Sequence, residues 1–177
     1  MVWTEADGEI RLRVAGVVEK SFTDGPGVRF AVFVQGCPHR CYNCHNPQTH
    51  DFAGGQVLTV GELIAALAED PLVSGLTLSG GEPFAQAGPC AALAAAAHAR
   101  GKDVWTWSGW TYEQLRDKAE READVAELLR QTDVLVDGPY VDEQRDLDLE
   151  WRGSANQRVL RLKGGVAADG DGVQYKV

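Results

Sequence analysis

Three of the four cysteines fall within eight residues, Cys37, Cys41 and Cys44 in Gln35-Gly36-Cys37-Pro38-His39-Arg40-Cys41-Tyr42-Asn43-Cys44-His45. This crowding is not a disulfide framework; closely spaced thiols in a reducing compartment are metal ligands or redox groups. The C-x3-C-x2-C spacing leaves two metal chemistries open. Three thiolates can hold three irons of a 4Fe-4S cluster, whose usual protein complement is four, and the remaining iron stays open to a non-protein ligand. Alternatively, His39 or His45 completes the Cys3His set of a structural zinc knot. Zinc sites normally pair a C-x2-C with a distant second ligand pair, which favours the cluster. Cys90, in Pro89-Cys90-Ala91-Ala92-Leu93, reads as a small buried apolar residue.

Such a loop needs rigid elements to carry it. Val28–Val34 is a β-branched and aromatic run between Gly27 and Gly36, the pattern of a buried strand, and the cysteines follow its C-terminal end. Thr59-Val60-Gly61-Glu62 has the capping-box form, and Val60, Leu63, Ile64 and Leu67 recur at helical spacing, which predicts a helix over about residues 60–69, ended by Asp70-Pro71. A second strand, residues 75–79, runs into the loop Gly80-Gly81-Glu82-Pro83. Pro89 then opens an alanine-rich helix closed by Gly101, and residues 103–107 read as a third strand. Thr111-Tyr112-Glu113-Gln114 starts a helical stretch to about Arg130, and residues 133–137 read as a fourth strand. Strands alternating with helices predict βαβ units and a parallel sheet, too few for a full eightfold barrel. The expected fold is therefore α/β, a partial, open parallel β/α barrel. In such sheets the loops after the strands gather at one face, where ligands bind. Residues 156–163 could add one more strand, and the first dozen residues read as loose or as an edge strand.

At 177 residues and 44% hydrophobic composition the chain is expected to form a single domain, residues 1–177, with a mobile Gly- and Asp-rich tail from about residue 164. Lys and Arg number 17 against 26 Asp and Glu, a net charge of −9, which weighs against nucleic acid as the main partner. No run approaches the roughly 20 apolar residues of a bilayer span. The acidic N-terminus lacks the layout of an export signal, so the expectation is a cytoplasmic protein with no membrane partner.

The cysteine loop resembles that of radical S-adenosylmethionine enzymes. Thr23-Asp24-Gly25-Pro26-Gly27-Val28-Arg29-Phe30, the run Gln35–Pro47 and Leu78-Ser79-Gly80-Gly81-Glu82-Pro83 are similar to the glycyl-radical-enzyme activases. Trp107–Thr111, Val134–Tyr140 and Trp151–Arg158 resemble the branch of those activases that serves anaerobic ribonucleoside-triphosphate reductase. The resemblance implies a partial barrel of the radical SAM type, a 4Fe-4S cluster on Cys37, Cys41 and Cys44, and S-adenosyl-L-methionine chelated at the open iron. It also implies hydrogen abstraction from a glycine of the reductase large subunit, with a flavodoxin- or ferredoxin-type electron donor. Two rival functions are an activase of another glycyl radical enzyme, of the formate-lyase type, and a non-catalytic zinc-binding or electron-transfer module.

For individual residues, the resemblance places Asn43, Cys44, His45, Gly80, Gly81 and Glu82 at the S-adenosylmethionine site. Many relatives carry an aromatic residue just before the last cysteine; here that position is Asn43, with Tyr42 one step earlier, so Asn43 is expected to contribute mainly backbone. Gly80 and Gly81 suit a backbone that approaches a ligand closely, while an ordinary strand-to-helix turn would look the same. Glu82 is either an orienting acceptor or a surface charge. Asp24 and Gly25 belong to a tight turn that the resemblance puts near the incoming glycine, and Asp137, Arg152 and Asn156 are further candidates to touch it. His39 and Arg40 would favour thiolates by their charge, or lie in solvent. Trp105, Trp107 and Trp110 read as core and pocket wall.

Overall fold

Every second side chain of a strand points to the same face of its sheet, and here the two faces differ in chemistry. In a computed structural model, which describes Val2 and residues 4–168, one open eight-stranded sheet runs through the molecule. Its strands are β1 (Arg11–Ser21), β2 (Arg29–Val34), β3 (Gln56–Thr59), β4 (Gly75–Gly80), β5 (Asp103–Trp107), β6 (Val134–Asp137), β7 (Arg158–Lys163) and β8 (Val166–Ala167). The order is β3-β1-β2-β4-β5-β6-β7-β8. The helices are α1 (Val60–Glu69), α2 (Ala87–His98), α3 (Tyr112–Ala119) and α4 (Ala123–Gln131).

The four expected strands are the four parallel ones, β2, β4, β5 and β6. The expectation of a wholly parallel sheet is corrected, because β1 and β3 on one side and β7 and β8 on the other pair antiparallel. The connection from Ser21 to Arg29 is too short for a crossover, which needs about a dozen residues or more, so β1 must return antiparallel beside β2. The first dozen residues, read as loose or as an edge strand, instead carry a short 3-10 helix, Glu5–Glu9, and the start of β1, which lies inside the sheet between β3 and β2. The expected tail begins about residue 164, yet Gly164 and Gly165, both at positive φ (59° and 84°), form the tight turn that joins β7 to β8. Residues 169–177 lie outside the described residues.

Phe30, Val32, Leu76, Leu78, Val104 and Leu135 belong to the main core, into which the helices bury Leu63, Ile64 and Leu67 of α1 and Leu128 of α4. α2 is buried on nearly every side, from Cys90 to Ala97; alanine lets it lie close to both sheet and α4. On the other face Trp105, Val134, Val136 and Val159 form a second cluster with Trp107 and Trp151. There Arg29, 1% exposed, donates to Thr77 Oγ1 at 3.1 Å and to Leu76 O at 2.6 Å and lies 5.9 Å from the Trp105 ring centre.

The helix over 60–69 has the residues expected of it, with Glu62 N donating to Thr59 Oγ1 at 3.2 Å and Thr59 N to Glu62 Oε2 at 2.7 Å. The alanine-rich helix starts at Ala87, two residues before Pro89. The single helical stretch expected to Arg130 is two helices, because nothing between Leu115 and Val125 except Ala119 packs on the core and one continuous helix would have no face to bury. Among the described residues no helix is long and apolar enough to cross a membrane.

His98, at the end of α2, places Nδ1 2.9 Å from Gln131 Oε1 and Nε2 2.8 Å from Asp133 Oδ2. Both ring nitrogens face acceptors, and the hydrogen bond to Asp133 raises the His98 pKa above its ordinary value against the opposing effect of burial. Burial pushes the Asp133 carboxyl up, but His98 and the Val104 N–H outweigh it and hold it low. A raised folded-state pKa stabilises the fold below about pH 6.5, and that contribution is lost as pH rises through the folded value. The urea midpoint of the wild type should therefore exceed that of His98→Gln by more at about pH 5.5 than at about pH 8.5; a gap that does not change with pH would exclude a charged ring.

Candidate functional site

The C-terminal ends of β2, β4, β5 and β6 converge on one cavity of about 390 Å³. The cysteine loop leaves β2 and is tied at its base. Gly36 N donates to Thr49 O at 2.8 Å and Cys37 N to His50 O at 3.3 Å. The buried amide of Gln35 donates to Gln48 O at 3.0 Å and to Asp51 O at 2.6 Å. Inside the loop, Arg40 and Asn43 take left-handed conformations (φ 48° and 51°) immediately before Cys41 and Cys44, turning the chain so that all three cysteines face the cavity.

The loop after β4 lies directly on that base. Gly81 N donates to Val34 O at 2.8 Å and Glu82 N to Gly36 O at 2.9 Å. A Cβ on Gly80 would sit 2.7 Å from Phe33 Cα, and one on Gly81 2.5 Å from Gly36 O, so both positions require glycine. Glu82, 0% exposed, is a junction. Its carboxylate accepts from Phe84 N at 3.0 Å, Gly109 N at 2.9 Å and Ser108 Oγ at 3.1 Å and meets His39 Nε2 at 2.8 Å. Three loops, after β2, β4 and β5, are thereby joined through one side chain. The His39 ring also packs edge-on against Trp110, 4.6 Å between centres, and a Cβ on Gly109 would lie 2.4 Å from it.

All three thiols are free. Burial pushes the Cys37 thiol above its ordinary pKa and the Glu82 charge adds to this, while the backbone N–H groups of His39 and Arg40 work against it. Three sulfur donors lining one open cavity match the preference of iron–sulfur groups for thiolate. The zinc knot fits less well: His39 is engaged by Glu82, and the His45 ring stands 4.9 Å from that of Tyr140. Among the described residues no three His, Cys, Asp or Glu side chains converge on a single-ion site.

Of the other residues singled out in the sequence, His45, Gly80, Gly81, Asp24 and Arg152 line the cavity. Asp24 reaches it along the inner face of the sheet, its carbonyl held by Thr77 Oγ1 at 2.6 Å. Arg152 keeps its Nε buried without a hydrogen-bond partner. Asn43 turns its side chain away, donating to Asp142 at 3.0 Å. Glu82 is neither a surface charge nor a lining residue. Gly25 packs against Arg29, and Asp137 accepts from Tyr112 N at 2.6 Å and from Arg158 Nε at 3.0 Å. Asn156 donates to Pro139 O at 2.8 Å and does not line the cavity. Phe33, Ser79 and Gln157 do line it; alternation along β2 and β4 was the available signal for the first two.

The 4Fe-4S single cluster domain family matches residues 23–160. The chain is 39% identical over 147 residues to the anaerobic ribonucleoside-triphosphate reductase-activating protein of Vibrio cholerae, covering 78% of this chain and 91% of that one. It is 34% identical over 148 residues to the protein of that name from Escherichia coli, covering 79% and 92%. The chain belongs to the anaerobic ribonucleoside-triphosphate reductase-activating protein family. The domain match spans every residue that lines the cavity.

Removing the junction has a measurable cost within this family frame. Glu82→Ala strands His39, Ser108 and two backbone N–H groups, and should lower unfolding stability by about 3 kcal/mol. Glu82→Gln, which keeps an acceptor, should lose less. Urea denaturation of both variants checks the order; a loss for Glu82→Gln as large as that for Glu82→Ala would show that one neutral acceptor cannot stand in for the carboxylate.

Proposed function

We propose that this chain is a radical S-adenosylmethionine activase of anaerobic ribonucleoside-triphosphate reductase, built as a single domain around a partial barrel of the radical SAM type and working in the cytoplasm. The observation that carries the reading is the meeting of three free thiols with the Gly80-Gly81 loop on one cavity at the ends of the parallel strands.

Cys37, Cys41 and Cys44 would hold the 4Fe-4S cluster. A cluster held there would supply the single low-potential electron for reductive cleavage of bound S-adenosyl-L-methionine, the chemistry that would allow hydrogen-atom abstraction from a reductase glycine. The chain's own contribution is placement. Gly80 and Gly81 line the cavity with the thiols, where their backbone would suit a methionyl amino group, and His45 would add backbone next to Cys44. Trp107 and Tyr140 wall the cavity and exclude water. Asp24 and Arg152, on the cavity wall, would meet the incoming peptide. Asn43, Gly25, Asp137 and Asn156 act from behind that wall, as supports. The electron comes from a flavodoxin- or ferredoxin-type donor.

Anaerobic reconstitution tests this. The wild type should take up about four irons per chain and form 5′-deoxyadenosine from S-adenosylmethionine under a strong reductant. Cys37→Ser, Cys41→Ser and Cys44→Ser should each lose most iron and all 5′-deoxyadenosine, while Cys90→Ser keeps both. One zinc per chain, with no 5′-deoxyadenosine, would defeat the proposal.

A further inference from the structure

Close in the chain to residues of the cavity wall stand exposed apolar side chains that do not line the cavity. Phe22 is 75% exposed, Tyr42 76% and Leu147 80%. They come from three separate segments, and each lies one or two residues from a residue of the cavity wall: Thr23, Cys41 and Leu149 respectively. Isolated exposed apolar residues are common, but several at the rim of one opening mark an interaction surface. One side of that rim is also charged. Between Asp142 and Glu150 the side chains of Glu143, Asp146, Asp148 and Glu150 are exposed, with Arg145 as the sole cation of the stretch. This strip is fixed to the cysteine loop, since Asp142 accepts from Asn43 at 3.0 Å and from Tyr140 OH at 2.7 Å.

A cavity of about 390 Å³ is too small for a folded domain, so whatever reaches the thiols must enter as a narrow segment whose flanks stay at the rim. We propose that Phe22, Tyr42 and Leu147 form a docking collar for the glycine-bearing segment of the reductase, one with apolar residues on both flanks of the glycine and Lys or Arg where it crosses residues 143–150. The inference rests on the activase reading. Apolar contacts hold the segment, and the acidic strip orients it by charge complementarity.

The test uses the full chain and the purified reductase under anaerobic conditions, with direct binding as the main readout. Phe22→Ser combined with Leu147→Ser should weaken binding about tenfold or more, as expected for loss of apolar anchors. Asp146→Lys combined with Asp148→Lys and Glu150→Lys should weaken it at low salt and by less at high salt. In both, 5′-deoxyadenosine formed without the reductase should match the wild type, because none of these residues holds the cluster or lines the cavity, and thermal melting should be unchanged. Wild-type binding by both variants overturns the collar even if 5′-deoxyadenosine forms. Absence of 5′-deoxyadenosine from the wild type sinks the activase reading instead, and the binding comparison still decides the collar.

Discussion

The geometry of the site depends on a single buried carboxylate. Glu82 sits where the loops after β2, β4 and β5 meet, and it satisfies groups from all three. An uncompensated charge at such a depth would be costly, so a fully bonded one fixes its neighbours in the arrangement that satisfies it. The glycines around it follow from the same constraint. Gly81 must pass within contact of Gly36 O, and Gly109 must leave room for the His39 ring. A side chain at either position would push one loop off another and move the cysteines with it.

The sheet explains why so small a chain can host a cavity. Helices cover one face with aliphatic side chains, leaving the other free to carry Arg29, Thr77, Ser79 and the cluster of Trp105, Trp107 and Trp151. These would be poor core material on their own. Trp105 stands 5.0 Å from Trp151 and 5.7 Å from Trp107, and Trp107 Nε1 donates to Trp151 O at 2.9 Å, so the aromatic layer stabilises itself and ties the segment after β6 across the cavity. Antiparallel strands at both sides of the parallel centre widen the sheet without closing it, and the opening remains on the face that bears the thiols.

Much of this was legible in the sequence because local signals agreed with the fold. The parallel strands announce themselves as short β-branched runs, and the capping boxes at Thr59 and Thr111 mark helix starts that the structure keeps. β1 was missed although Leu12 and Val14 alternate with polar residues, since Gly16 and the charged end Glu19-Lys20 dilute the pattern. The break between α3 and α4 left no glycine or proline to read; only the missing apolar residues signalled it. At the site, residue types told which groups could do chemistry but not which way they faced. Asn156 and Asp137 lie in segments that match the family, yet their side chains serve neighbouring backbone and Arg158. Glu82 next to two glycines looks like a ligand contact, and only its packing reveals a structural anchor.

The cysteine loop itself is ordered largely by bonds that do not involve its thiols. Burial holds the Cys37 thiol in its protonated form more firmly than usual, which opposes ligation, since only the thiolate coordinates. The loop offsets this by order. Its base is closed by backbone bonds and by the Gln35 amide, its interior turns are set by left-handed Arg40 and Asn43, and the Asn46 N–H already points at Cys44 Sγ, 3.4 Å away. Much of the entropy cost of ordering the loop is therefore offset by bonds other than those the thiols would make to a metal. Because backbone groups and the Gln35 amide hold the loop, none of its three cysteines is spent in a disulfide to do so.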